Sequence, residues 1–180
     1  MQQQIHELLR DGSQKEYKFA LKISTDKNSV RYYQGKQDGE NWVISDTSGK
    51  KVMERKDKKV WAYHSGNKEE MTVNQAGLVS PKDHLLFLQK VLGKVEFIRK
   101  MESPVQKKAR VTVDPHKFSE QFRKRLNINS NTSPLPVYKD YHIYYELIYL
   151  ESPNKQLKQI ILNMPEQGEA SHSLIYTLEI

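Results

Sequence analysis

A long run of short alternating segments, interrupted once by a strongly capped apolar helix, constrains this chain more than anything else in it. The helix reads as Ser80 to Leu92. About eleven strand candidates surround it, six before and five after. Few architectures place a helix inside so long a run of antiparallel strands. The commonest is a half-open barrel with helices plugging its mouth. A sheet curved in that way leaves an apolar hollow on its concave side.

Along the chain, Ile5, Leu8 and Leu9 take the i, i+3, i+4 places of a short amphipathic helix that Gly12 can close. Tyr17, Phe19, Leu21 and Ile23 then alternate with Lys18, Ala20 and Lys22. Period two is the pattern of a half-buried strand with its aromatic and branched set facing inward. Asp26-Lys27-Asn28 turns the chain back into Val30–Gln34, and Asp38-Gly39 turns it into Asn41–Asp46, which carries Trp42 and Ile44. Lys51–Arg55, Val60–His64 and Glu70–Val73 follow, separated by Ser48-Gly49, Asp57-Lys58 and Ser65-Gly66-Asn67. Turn residues recurring at this spacing predict a meander of hairpins.

The central helix has the local chemistry of a deliberate start. Ser80 suits the N-cap, Pro81 the first helical position, and Asp83 stands three after the cap. Leu85, Leu88 and Leu92 share one face, Leu86 and Val91 flank it, and Gly93 reads as the stop. A helix apolar over more than half its circumference must be covered on most sides or line a cavity.

Strands resume at Val95, Phe97 and Arg99, then at Ala109, Val111 and Val113. Asp114-Pro115 starts a further helix, with Val113 and Phe118 placed as a hydrophobic staple and Phe118, Phe122 and Leu126 repeating at i, i+4, i+8. Its outer face carries Lys117, Arg123, Lys124 and Arg125. Asn127–Asp140 reads as a loop or flap, and three strands close the chain: Tyr141–Glu151, Gln156–Met164 and Ser173–Ile180. The whole, residues 1–180, reads as one domain of mainly β (α+β) class.

Charge and cysteine content bound the function. The net charge is +7, from 29 Lys and Arg against 22 Asp and Glu, and it favours anionic partners such as a membrane or wall surface. The basic residues are spread over nearly every strand, which is equally the pattern of a solvated exterior. With no cysteine, a disulfide scaffold, a thiolate zinc site and a cysteine nucleophile are excluded. No run approaches the roughly 18 apolar residues of a membrane span, and Met1-Gln2-Gln3-Gln4 reads as no signal peptide.

Catalytic patterns are missing. The six histidines, His6, His64, His84, His116, His142 and His172, stand apart in sequence without a metal-binding spacing. His84, near the start of the central helix, reads as a surface or boundary residue. Gly49-Lys50-Lys51 lacks the upstream glycine of a phosphate loop and reads as a hairpin turn. Glu69 and Glu70 are neighbours on a strand and point to opposite faces. These readings predict no enzyme and no cofactor. Lys58-Lys59-Val60-Trp61-Ala62-Tyr63 interleaves bases with aromatics as single-strand binders do, but Trp61 and Tyr63 meet no nucleobase if their shared face is the core. Nucleic acid is therefore not the expected partner.

The order of elements resembles the LolA/LppX-like superfamily of bacterial envelope proteins. The resemblance rests on Leu78-Val79-Ser80-Pro81 running into Leu85-Leu86-Phe87-Leu88, on Ala109–Val113 turning into a helix at Asp114-Pro115, and on the hairpin from Tyr141 to Met164 with its Asn154-Lys155-Gln156 turn. It implies a strongly curved antiparallel half-barrel of about eleven strands whose concave face is capped by helices. It also implies a non-enzymatic, extracytoplasmic protein that shelters a lipid or acyl chain, tethered to a membrane through a residue outside this sequence. The alternative is a protein-interaction module of the same fold, acting on an envelope protein in sporulation, germination (as GerS-type lipoproteins do) or stress signalling. The expected cavity residues are Phe19, Leu21, Tyr32, Trp42, Leu85, Leu88, Leu92 and Phe122. Lys117, Arg123, Lys124 and Arg125 are the expected contacts to an anionic surface.

Overall fold

The structure is a computed structural model that describes residues 2–25, 29–72, 76–98, 105–126, 143–151, 155–165 and 171–179. Helix α1 (Gln2–Gln14) leads into six strands: β1 (Tyr17–Ser24), β2 (Val30–Asp38), β3 (Asn41–Asp46), β4 (Lys51–Lys56), β5 (Lys59–His64) and β6 (Asn67–Met71). Helix α2 (Pro81–Val91) follows, then β7 (Leu92–Ile98), β8 (Gln106–Val113), helix α3 (Pro115–Leu126), β9 (Tyr144–Leu150), β10 (Gln156–Pro165) and β11 (Ser171–Glu179). The expected turn at Asp26-Lys27-Asn28, the loop at Asn127–Asp140 and Asn154 of the closing hairpin's turn lie outside the described residues.

All eleven strands join one sheet in the order β6-β5-β4-β3-β2-β1-β11-β10-β9-β8-β7, so the sheet does not close and β6 and β7 are its two edges. This is the expected open half-barrel, mainly β with a few helices. Each pairing is antiparallel, and the one pairing between strands that are not consecutive in the chain is β1 with β11, Phe19 opposite Leu178 and Leu21 opposite Tyr176. That pairing has a strong consequence. The first meander runs outward from β1 to one edge, and the second returns from the other edge to β11. The connection between them must travel from β6 to β7, edge to edge, across the open side. Helix α2 lies in that connection, which is why an apolar helix interrupts the strands at this point.

The start of α2 is as its sequence predicts. Ser80 Oγ accepts from Asp83 N at 3.2 Å, and Asp83 Oδ2 accepts from Ser80 N at 3.2 Å, a complete capping box ahead of Pro81. Leu85, Leu88 and Val91 are fully buried, and α2 packs against α1 and α3. Asp114 caps α3 by accepting from the backbone N–H groups of His116 at 2.9 Å and Lys117 at 3.0 Å. The Phe118 ring meets Phe87 edge-on at 5.7 Å, which ties α3 to α2. The exposed edge strand β6 is Asn67-Lys68-Glu69-Glu70-Met71, and its charges oppose pairing with another chain.

Several local expectations are corrected by packing. Gly12 does not end α1, which runs on to Gln14; a Cβ there would lie 3.1 Å from Leu85 Cδ1, so the glycine admits the close approach of α2. Gly93 does not stop α2 either. The helix ends at Val91, Leu92 is already the first residue of β7, and a Cβ on Gly93 would lie 2.8 Å from the Thr112 carbonyl oxygen on β8. Its role is close strand contact. Trp61 and Tyr63 face outward, because Val60 and Ala62 are the buried residues of β5. There Trp61 is covered by Lys68, with Nζ 4.0 Å from the ring centre, and the Tyr63 hydroxyl donates to Glu54. The aromatics hold lysines and a carboxylate of their own sheet.

Candidate functional site

Strands β1, β2, β3, β4 and β11 present a continuous inward surface at one end of the half-barrel. In register, Leu21 stands opposite Tyr33 and Tyr176, Ile23 opposite Leu174, and Ile44 opposite Met53. The pairing of β3 with β4 slips between Ile44 and Ser45, which leaves Val52 as an extra residue on β4. A bulge of that kind re-aims side chains, and Val52 and Met53 both reach the same space. Leu78 and Val79, in the segment leading to Ser80, lie over it. The result is an apolar pocket of 230 Å³ that is partly open to solvent and lined by these ten residues.

A buried polar chain holds the segment that covers this pocket. The Tyr176 hydroxyl donates to the Val79 carbonyl at 2.8 Å and lies 3.2 Å from His84 Nε2; His84 Nδ1 lies 3.0 Å from the Tyr145 hydroxyl. Tyr176 has one proton, and a carbonyl can only accept, so Tyr176 accepts from Nε2–H. With a neutral imidazole, Nδ1 then carries the lone pair and accepts from the Tyr145 O–H. His84 and both tyrosines are 1% exposed. The sequence reading of His84 as a surface or boundary residue is thus corrected: it is a core residue that joins α2 to β9 and β11. Burial, with smaller contributions from Tyr145, Asp83 and Tyr17, pushes the Tyr176 hydroxyl far above its ordinary pKa, so it remains a donor.

The expected cavity residues divide. Leu21 lines the pocket. Phe19, Trp42, Leu85, Leu88 and Leu92 are buried in the main core, Phe19 with its ring over Gly35. Tyr32 is 56% exposed on the outer face; Tyr33 takes the inward place, because the β1–β2 register sets Leu21 opposite Tyr33. A shift by one residue changes the face of a strand side chain. The Phe122 side chain lies outside those described. Alternation placed Ile23 and Ile44 inward with Leu21 and Trp42, so these two were within reach of the sequence. Val52, Leu174 and Tyr176 depended on the bulge and on the β1–β11 pairing.

The expected anionic-surface contacts also divide. Lys117 Nζ donates to the Leu92 carbonyl at 3.3 Å, and Lys124 pairs with Glu120 at 2.6 Å. Arg123 is half-buried, and the Arg125 side chain is outside those described. Among the described residues no helix is long and apolar enough to cross a membrane, and no group of three His, Asp or Glu is placed to hold a metal ion.

No protein-family model matches the chain, and no curated protein matches it in sequence. Several solved structures are similar to it in overall course. The crystal structure of LprF from Mycobacterium bovis is 11% identical, with a TM-score of 0.48, and the likeness covers 98% of this chain and 92% of that one. A LolA superfamily protein from Nitrosomonas europaea is 12% identical, with a TM-score of 0.41, covering 97% and 90%. Both likenesses concern the course of the chain alone and say nothing of what it binds.

Proposed function

We propose that this protein is a non-enzymatic binding protein that shelters an acyl chain or similar apolar group outside the cytoplasm. The observation that carries the reading is the pocket beneath Leu78 and Val79: it is apolar, partly open, and covered by a segment held through a few hydrogen bonds. At 230 Å³ it lies below the roughly 300–1,000 Å³ of ordinary ligand clefts, so it takes one chain segment and not a whole lipid. Each methylene it buries contributes about 0.8 kcal/mol, so a segment of a few carbons supplies binding without any catalytic group. Extracytoplasmic placement and tethering through a lipidated residue belong to this same proposal, as does a role in an envelope process such as sporulation.

Native mass spectrometry of the protein from a bacterial host, with uptake of a fluorescent fatty acid, tests the reading. Leu78→Trp, which fills the pocket from its cover, should abolish uptake while leaving the fold intact by circular dichroism. Uptake by the variant equal to that of the parent, or no bound lipid in either experiment, overturns it.

A further inference from the structure

Four inward-facing polar side chains stand in one row across four adjacent strands: Tyr17 on β1, Gln37 on β2, Trp42 on β3 and Arg55 on β4. Tyr17 is 4% exposed, Gln37 1% and Trp42 4%. Each of the four carries a buried polar atom without a hydrogen-bond partner among the described residues: the Tyr17 hydroxyl, Gln37 Oε1, Trp42 Nε1 and Arg55 Nε. Buried polar atoms are normally paired, and each exception calls for a cause. Four exceptions in one row call for a common one.

The surroundings define the chemistry. Beyond the row, Ile44 and Met53 stand one step along their strands, and Val60 continues it on β5, all apolar. Above it, Asp83 in the first turn of α2 lies 3.8 Å from Arg55, and Arg55 also meets Glu40 at 3.5 Å, which pairs with Lys82 at 2.7 Å. Two cations and two carboxylates balance, so an ion entering here would leave a charge uncompensated. What remains unsatisfied is three donors (Tyr17 O–H, Trp42 Nε1–H, Arg55 Nε–H) and one acceptor, Gln37 Oε1. The other end of Gln37 is fixed, with Nε2 donating to the carbonyls of Gly39 at 2.9 Å and Asn41 at 3.2 Å. Oε1 cannot flip away without breaking both.

We propose that this row binds a neutral polyol or its partial ester, whose oxygens accept from Tyr17, Trp42 and Arg55 and whose free hydroxyl donates to Gln37. None of the four residues lines the apolar pocket. The site therefore holds or falls independently of the acyl-chain reading, although the two lie close enough for a single amphiphile to use both.

Trp42 supplies the probe. In a Trp61→Phe background, which removes only the outward indole, the one remaining indole N–H resonance reports Trp42 directly. Glycerol, 1-monooctanoylglycerol and octanoate are titrated separately. A saturable shift with glycerol identifies a free polyol as occupant, and a shift with monooctanoylglycerol alone identifies a lipid head; either supports the proposal. Tyr17→Phe deletes one donor without changing shape. It should weaken that binding roughly fivefold, as for one hydrogen bond, and leave the melting temperature unchanged or raised. No saturable shift with either glycerol-bearing probe overturns the proposal. So does an equal shift with octanoate, which would be pocket filling, or a Tyr17→Phe protein that melts lower, which would mean the hydroxyl is already paired to internal water. Failure of the acyl-chain reading shows separately, as absence of octanoate uptake with the glycerol response retained.

Discussion

Tyr176→Phe isolates the hydrogen-bond chain beneath the pocket cover. The substitution keeps the ring, which packs against Phe19 at 5.9 Å and His84 at 5.1 Å, and removes only the hydroxyl. Two hydrogen bonds are lost: the one the hydroxyl donates to the Val79 carbonyl at 2.8 Å, and the one it accepts from His84 Nε2–H at 3.2 Å. Leaving one buried polar group unsatisfied costs about 1–3 kcal/mol. Val79 is half-buried and its carbonyl can recover part of the loss from water, whereas His84 is 1% exposed and cannot. The expected cost is therefore about 2–4 kcal/mol, a large part of the roughly 5–15 kcal/mol that stabilises a typical domain. Urea unfolding followed by circular dichroism reads it as a midpoint lowered by about 1–2 M at an m-value of about 2 kcal/mol/M. Imidazole nitrogen NMR of the parent should show the proton of His84 on Nε2. A Tyr176→Phe protein within about 0.5 kcal/mol of the parent, or a proton resting on Nδ1, would refute the chain of donors as drawn.

Gly35→Ala should destabilise by about 1–3 kcal/mol, because a Cβ there would meet the Phe19 ring, and Phe19→Leu in the same chain should restore part of the loss. Burial raises the Glu146 pKa, but hydrogen bonds from Lys108 at 2.7 Å and Arg110 at 3.0 Å outweigh it and hold the carboxyl below its ordinary value. Its stabilisation is therefore present above the unfolded value of about 4.3 and is lost as pH falls through the lower folded value. Glu146→Gln should cost about 1.5–3 kcal/mol at pH 7, and urea midpoints taken at successively lower pH should show that gap closing.

The elements themselves were legible along the chain. Alternation and turn residues located ten of the eleven strands, while β6 pairs over Asn67–Met71 and not over the expected Glu70–Val73, because Ser65-Gly66 alone makes the turn. The Ser80-Pro81-Asp83 and Asp114-Pro115 signals placed the starts of α2 and α3, since caps and periodicity act over a few residues. Which side chains leave a hollow and which fill it was not legible. Phe19 alternates as Leu21 does, and Leu85 and Leu88 lie on the apolar face of α2, yet these three are closed in the core, Phe19 over Gly35, while Leu21 borders open space. The same limit explains Tyr32 and Tyr33, adjacent and alike, which the β1–β2 register sends to opposite faces. It explains Trp61 too, whose alternation fits either side of β5, and His84, whose partners lie 61 and 92 residues away. The polar row from Tyr17 to Arg55 comes from four segments that share nothing until their strands align. Periodicity states that a strand has two faces. Cross-strand register and the β1–β11 closure decide which face is the inside, and only the packed helices decide how much of that inside is left open.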